Sequence, residues 1–102
     1  LENILPTAYY LSMKLIDSDS NGCFVYVLGS KMGADRRTYV GWTKDLEQRL
    51  QRHNSGNGAR STRGRQWILL YAERCKTRPE AMSREWHIKR DRRFRKLLTA
   101  CL

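Results

Sequence analysis

The run Cys23-Phe24-Val25-Tyr26-Val27-Leu28 constrains the fold of this chain more than any other stretch. Successive residues of a strand point to opposite faces, and here both alternating sets are apolar. Such a strand has to be covered on both sides, so it belongs in the interior of a sheet with further layers above and below. In 102 residues there is room for one domain with one modest core around it, and a hydrophobic content of 40% is enough to build that core.

The flanking pattern supplies the other layers. Residues 29–36 are polar with two glycines, which predicts a hairpin loop, and residues 37–42 return as a second strand. Thr43, followed by Asp45 and Glu47, predicts a helix start with a hydroxyl cap and acids facing the positive end of the dipole. Leu46 and Leu50 give that helix its apolar stripe, and Asn54-Ser55-Gly56-Asn57-Gly58 ends it. A basic loop over residues 59–65 leads to a third strand, 67–73. Thr77 and Glu80 have capping-box spacing and open a helix running through about Lys89. Residues 91–100 predict a last basic helix with Phe94, Leu97 and Leu98 facing inward. The order strand, strand, helix, strand, helix, helix is that of a small α+β domain over residues 23–100, preceded by an N-terminal extension, residues 1–22, with a serine-rich loop at its end.

Net charge narrows the partner. The chain carries +10, and the first 22 residues hold three acids against Lys14, leaving +12 on the rest. A surface of that kind suits a polyanion, because each neutralised phosphate releases condensed counterions. A membrane surface is the competing polyanion, but no long basic amphipathic helix is left free of core duties. Apolar runs such as residues 67–72 are far too short to span a bilayer. The start has no basic leader followed by a long apolar stretch, so no signal peptide is expected. Cys23, Cys75 and Cys101 form an odd set without C-x-x-C spacing, against a disulfide framework or zinc site and in favour of a reducing cytoplasm.

A few polar residues sit where packing alone would not put them. On a helical wheel Ala81, Met82 and Ile88 all fall within about 60° of Glu85, which places a carboxylate amid an apolar face. Burial there requires a partner, either an internal ion pair with an arginine or a metal ion. Arg49 and His53, four residues apart, share one margin of the Leu46/Leu50 stripe. Such an arginine rests its stem on the core and offers its guanidinium to a phosphate, although a solvated basic face would look the same. Tyr26 and Tyr39, taken singly, read as core aromatics.

Taken together, these residues resemble the GIY-YIG nuclease family. Phe24-Val25-Tyr26 stands at the first signature triplet and Tyr39-Val40-Gly41 at the second. Arg49, His53 and Asn54 form an R-x-x-x-H-N pattern, and Arg84-Glu85-Trp86-His87-Ile88-Lys89 matches an R-E-x-x-I-K segment of small stand-alone bacterial members. The segment from Asn54-Ser55-Gly56 through Gly58-Ala59, with position 57 free, and Thr62-Arg63-Gly64-Arg65 match the same subgroup, and the likeness runs from about residue 24 to 98. Phe24, Val25 and Val40 depart from the triplets, but both tyrosines are kept.

The resemblance implies a sheet of three mostly antiparallel strands flanked by helices, and hydrolysis of phosphodiester bonds with one Mg²⁺ or Mn²⁺ ion and no small-molecule cofactor. It assigns Tyr26, Tyr39, Arg49, His53 and Glu85 to catalysis, with Glu85 as the metal ligand, Arg49 on the scissile phosphate and Tyr26 activating the attacking water. A phenol of reference pKa about 10 needs help for that, from the field of the nearby cation, from Arg49, or by proton hand-off to His53. Asn54 is a further candidate or only a helix cap. Arg60, Arg63, Arg65, Lys89, Arg92 and Arg93 are expected to grip the backbone of DNA, with RNA left open, without reading sequence. Repair or processing of DNA, selective for structure or weakly specific, is the implied role. The alternatives are a nucleic-acid-binding module without catalysis, and a structural domain held by a Glu85–Arg49 pair.

Overall fold

Strand β1 (Cys23–Met32) lies between β2 (Asp35–Thr43) and β3 (Ile68–Cys75) in a three-stranded, fully antiparallel sheet, in a computed structural model that describes residues 22–102. The expected N-terminal extension therefore lies outside the described residues, apart from Gly22, which is buried. Helix α1 (Leu46–Asn54) follows β2, and α2 (Arg78–Arg90) and α3 (Arg92–Leu98) follow β3. The domain is α+β, with the doubly apolar strand at the centre as its sequence requires.

The alternation along β1 divides the core in two. Cys23, Val25 and Val27 join Val40, Cys75, Ala81 and Ile88 beneath α2 and α3. Phe24, Tyr26 and Leu28 join Leu46, Trp67, Leu69 and Ala72 on the α1 side. Leu69 and Ala72, three residues apart, reach one face only because the β1–β3 register shifts between Val27 and Leu28. One extra residue reverses the facing of everything beyond it.

The first hairpin is longer than its polarity suggests. Met32 pairs with Asp35, so the expected 29–36 loop shrinks to the two-residue turn Gly33-Ala34. Polar residues such as Lys31 and Arg36 extend the strands because the ladder satisfies their backbone groups while their side chains stay in water. Buried Ser30 anchors this arm, accepting from Arg65 Nε at 3.1 Å; Arg65 also donates to Asp35 at 3.0 Å.

Helix starts follow local chemistry, with one correction. The cap of α1 is Asp45, whose carboxylate accepts from Gln48 N at 3.1 Å, and not Thr43. Thr43 is still paired with Phe24 in the sheet, so its backbone is unavailable to begin a helix. At α2, Thr77 accepts from Glu80 N, while the Glu80 carboxylate accepts from Lys76 N at 2.7 Å, a capping box reaching one residue further back. Helix α3 ends at Leu98 and continues as a 3-10 turn, Thr99–Cys101. Phe94 and Leu98 pack on the core, but Leu97 is 67% exposed: seven residues of helix present too narrow a stripe to bury all three.

Candidate active site

β1 and β2 bring the two tyrosines together. Leu28 faces Tyr39, and Tyr26 faces Gly41, so both phenols lie on the α1 side of the sheet, with ring centres 6.3 Å apart. The second triplet needs its glycine for this reason. A Cβ on Gly41 would lie 2.6 Å from the Tyr26 hydroxyl and 3.1 Å from the Tyr39 ring. Only a bare Cα leaves room for the Tyr26 hydroxyl to lie flat against β2.

α1 delivers the third ring. His53, 1% exposed, stands two turns from Leu46, which seats the helix on the sheet. Its Nε2 is 3.0 Å from the Tyr26 hydroxyl, and its ring centre is 4.7 Å from that of Tyr39. Its Nδ1 is 2.9 Å from Thr62 Oγ1. Arg49, one turn before His53, brings a guanidinium close enough to act on both Tyr26 and His53. Its Nε is buried and has no hydrogen-bond partner. A buried donor left unsatisfied is costly, and an acceptor brought in from elsewhere would relieve that cost.

Burial dominates the electrostatics. Desolvation first, then the neighbouring Tyr39, hold the Tyr26 phenol well above its ordinary range; the positive charge of Arg49 opposes them, and Glu85 adds a smaller upward push. His53 is held below its ordinary value, again chiefly by burial and then by Arg49 and Arg52. At neutral pH the pair is therefore a protonated phenol against a neutral imidazole. Tyr26 and His53 form the floor of the cluster. Tyr39 and Arg49, both half-buried, are its members open to solvent.

Glu85 occupies the rim of the expected face rather than its middle. Ala81 and Ile88 are buried, but Met82 is 48% exposed. The helix meets the sheet along the line from Ala81 to Ile88, and Met82, one position around, falls past it. The Glu85 side chain is 22% exposed, and its carboxylate pairs with Lys89 at 3.4 Å rather than with Arg49. Lys89, a proposed backbone contact, is thus bound up with the carboxylate. Next to Glu85, Arg84 makes two bonds to Glu73 of β3, at 2.5 and 3.0 Å, which fixes α2 against the sheet.

Among the described residues, no three His, Cys, Asp or Glu side chains come together as a metal cage. The candidate donor is the single carboxylate of Glu85, close enough for its charge to act on Tyr26, as that of Arg49 does. That suits a hard divalent ion which keeps most of its waters and takes its other oxygens from a substrate.

The remaining candidates fall into different surroundings. Asn54 belongs to the framework: its side chain donates to Trp67 O at 3.0 Å and accepts from Trp67 N at 2.6 Å, tying the end of α1 to the start of β3. Arg60, Arg63, Arg92 and Arg93 are exposed, whereas Arg65 is engaged with Ser30 and Asp35 and its side chain is 8% exposed. Thr62, fully buried against His53, was given no role by its sequence. Its only signal was its place in the Thr62-Arg63-Gly64-Arg65 segment.

Comparison with known proteins fits this geometry. Residues 22–97 match the GIY-YIG catalytic domain, so the chain belongs to the GIY-YIG family, a family of nucleases. Its relatives include a UPF0213 protein of Clostridium perfringens, 45% identical over 75 residues that span 72% of this chain and 77% of the relative. The UPF0213 protein YazA of Bacillus subtilis is 38% identical over 81 residues, covering 78% of this chain and 79% of its own. No solved structure matches the chain. Among the described residues, no helix is long and apolar enough to cross a membrane.

Proposed function

We propose that this domain is a divalent-metal-dependent endonuclease that hydrolyses phosphodiester bonds in DNA. The observation that carries the reading is the cluster of Tyr26, Tyr39, His53 and Arg49, in which the one unsatisfied buried donor is a guanidinium nitrogen. A phosphate oxygen supplies the missing acceptor, and Arg49 then follows the charge as it builds on the phosphorane-like transition state.

Tyr26 takes a proton from the attacking water as its own passes to His53 Nε2, which its hydroxyl already contacts at 3.0 Å. A neutral imidazole is ready to accept it. The water oxygen bonds to phosphorus and the bond to the leaving oxygen breaks. With Tyr26 only 1% exposed, its oxygen meets a water when Tyr39 or Arg49 swings aside as the phosphate seats. Tyr39, packed on the His53 ring, positions the nucleophile. Glu85 would hold one Mg²⁺ or Mn²⁺ ion, which when bound neutralises the phosphate and stabilises the leaving oxygen. Arg60, Arg63, Arg92 and Arg93 contribute exposed positive charge for the backbone, in keeping with weak sequence selectivity in DNA repair or processing in the cytoplasm.

The test is a panel of end-labelled duplex, flapped, branched and single-stranded DNA and RNA, incubated with Mg²⁺, Mn²⁺ or chelator. Cleavage is expected with metal, and its loss in folded Glu85→Gln. Binding without cleavage of any member would replace this reading by a binding module.

A further inference from the structure

The ring of His53 is held from both sides, and counting protons along the contacts fixes its tautomer. Thr62 is fully buried, and its hydroxyl donates to Ala59 O at 2.8 Å. A threonine hydroxyl has one proton. With that proton spent on the carbonyl, the 2.9 Å contact between Thr62 Oγ1 and His53 Nδ1 requires the hydrogen to sit on nitrogen. A neutral imidazole carries only one N–H, so Nε2 is left with its lone pair facing the Tyr26 hydroxyl at 3.0 Å. The chain then runs in one direction: Tyr26 O–H to Nε2, Nδ1–H to Thr62 Oγ1, Thr62 O–H to Ala59 O.

We propose that Thr62 is a positioning residue that locks His53 in the Nδ1–H tautomer, so that Nε2 is the acceptor for the Tyr26 proton. The assignment rests on the nuclease reading for its catalytic meaning, but the tautomer is a property of the folded chain alone. In the opposite tautomer an Nε2–H would point at the Tyr26 oxygen and could take up no proton there. The scaffold around Thr62 is built to keep its oxygen in place. Thr62 N bonds Ala59 O at 3.1 Å, and Trp67 Nε1 donates to Thr62 O at 2.8 Å. Trp67 is in turn clasped by Asn54 at the end of the helix that carries His53. Gly58 closes the ring's Nδ1 edge: a Cβ there would collide with Nδ1 and lie 2.9 Å from the His53 Cα, so position 58 has to stay bare for the ring to sit against Thr62. When Nε2 takes the proton from Tyr26, the imidazolium keeps its Nδ1–H on Thr62, and the bond from Thr62 to Ala59 O stays as it is.

The experiment is nitrogen-15 NMR of the full chain in a His87→Gln background, which leaves His53 as the sole imidazole, at a pH where it is neutral. Wild-type Thr62 is expected to give a protonated-type shift at Nδ1 and an unprotonated one at Nε2. Thr62→Val, which keeps the shape but removes the acceptor, should move the proton toward Nε2 and slow cleavage about tenfold or more. Thr62→Ser should restore both the wild-type shifts and the rate. An Nε2–H pattern in the wild-type background, or an unchanged pattern in Thr62→Val, overturns the assignment, even if Thr62→Val cleaves slowly. Should Thr62→Val fail to fold, the background spectrum and the Thr62→Ser chain still decide it. A wild-type chain that cuts nothing yet shows the Nδ1–H pattern would remove the nuclease reading and leave the tautomer lock standing.

Discussion

The two faces of β1 are built from alternate residues of one strand, yet they are closed in opposite ways. Beneath α2 and α3, Cys23, Val25 and Val27 meet Val40, Ala81 and Ile88, a contact made of carbon and thiol. Beneath α1, Tyr26 lies among Phe24, Leu28 and Leu69, and the same layer admits His53 and Thr62, both buried polar side chains. Polar groups can be buried only if partnered, and Tyr26, His53 and Thr62 partner one another. Arg49 Nε is left over. The α2 face has the composition of a stability element. The α1 face surrenders some of that stability to hold groups in position, and it is where we place the work of Tyr26, Tyr39, Arg49 and His53, with Glu85 alone coming from the rim of α2.

The comparison can be broken by substitutions that act on one face only. Arg49→Ala is expected to have a large effect on function, a fall in cleavage on the order of 10³-fold, with the fold intact. Initial rates on labelled DNA and a thermal melt measure the two quantities. An inactive variant that has also unfolded would make Arg49 a structural group. Ile88→Ala, on the opposite face, should do the reverse: a loss of about 2–5 kcal/mol in urea denaturation, with the rate of the folded fraction unchanged. A selective loss of activity there would blur the division of labour.

The smallest effect is expected at Glu73→Gln. The two bonds from Arg84, and then Tyr71, hold the Glu73 carboxyl below its ordinary value of 4.5. A depressed carboxylate adds stability that is full above the unfolded-state pKa and is lost as pH falls through the folded one. The wild-type chain should therefore lose this contribution below about pH 4.5, and Glu73→Gln should flatten that part of the acid limb. Because Arg84 is 46% exposed, the gain is screened to about 1 kcal/mol or less. Parallel acid-denaturation curves would show it, and identical curves would contradict it.

The architecture was legible because it rests on periodicity. A doubly apolar run has to be central, and residues 23–28 are. What escaped depends on neighbours that sequence does not display. Polarity made residues 29–36 look like a loop, although it reports only exposure, and an exposed hairpin arm is polar too. Thr43 resembled a cap as much as Asp45 did, and the pairing of Thr43 with Phe24 decided between them. Met82 and Leu97 looked inward because a helical wheel gives the direction of a stripe and not the width of the surface it meets. In the candidate site, the tyrosines, Arg49 and His53 stood out only as a set, through the resemblance of their ordered motifs to a known family. The contact of Thr62 with His53 spans nine residues and a loop, and only the folded chain displays it.

The most direct test of the catalytic reading of the α1 face is single-turnover cleavage by Tyr26→Phe under Mg²⁺, with DNA affinity and thermal stability measured alongside. The variant keeps the ring in its slot against Gly41 and removes only the oxygen that contacts His53. The expected result is unchanged binding and folding with cleavage slowed about 10²–10⁴-fold. A Tyr26→Phe chain that cuts DNA at the wild-type rate would contradict the account.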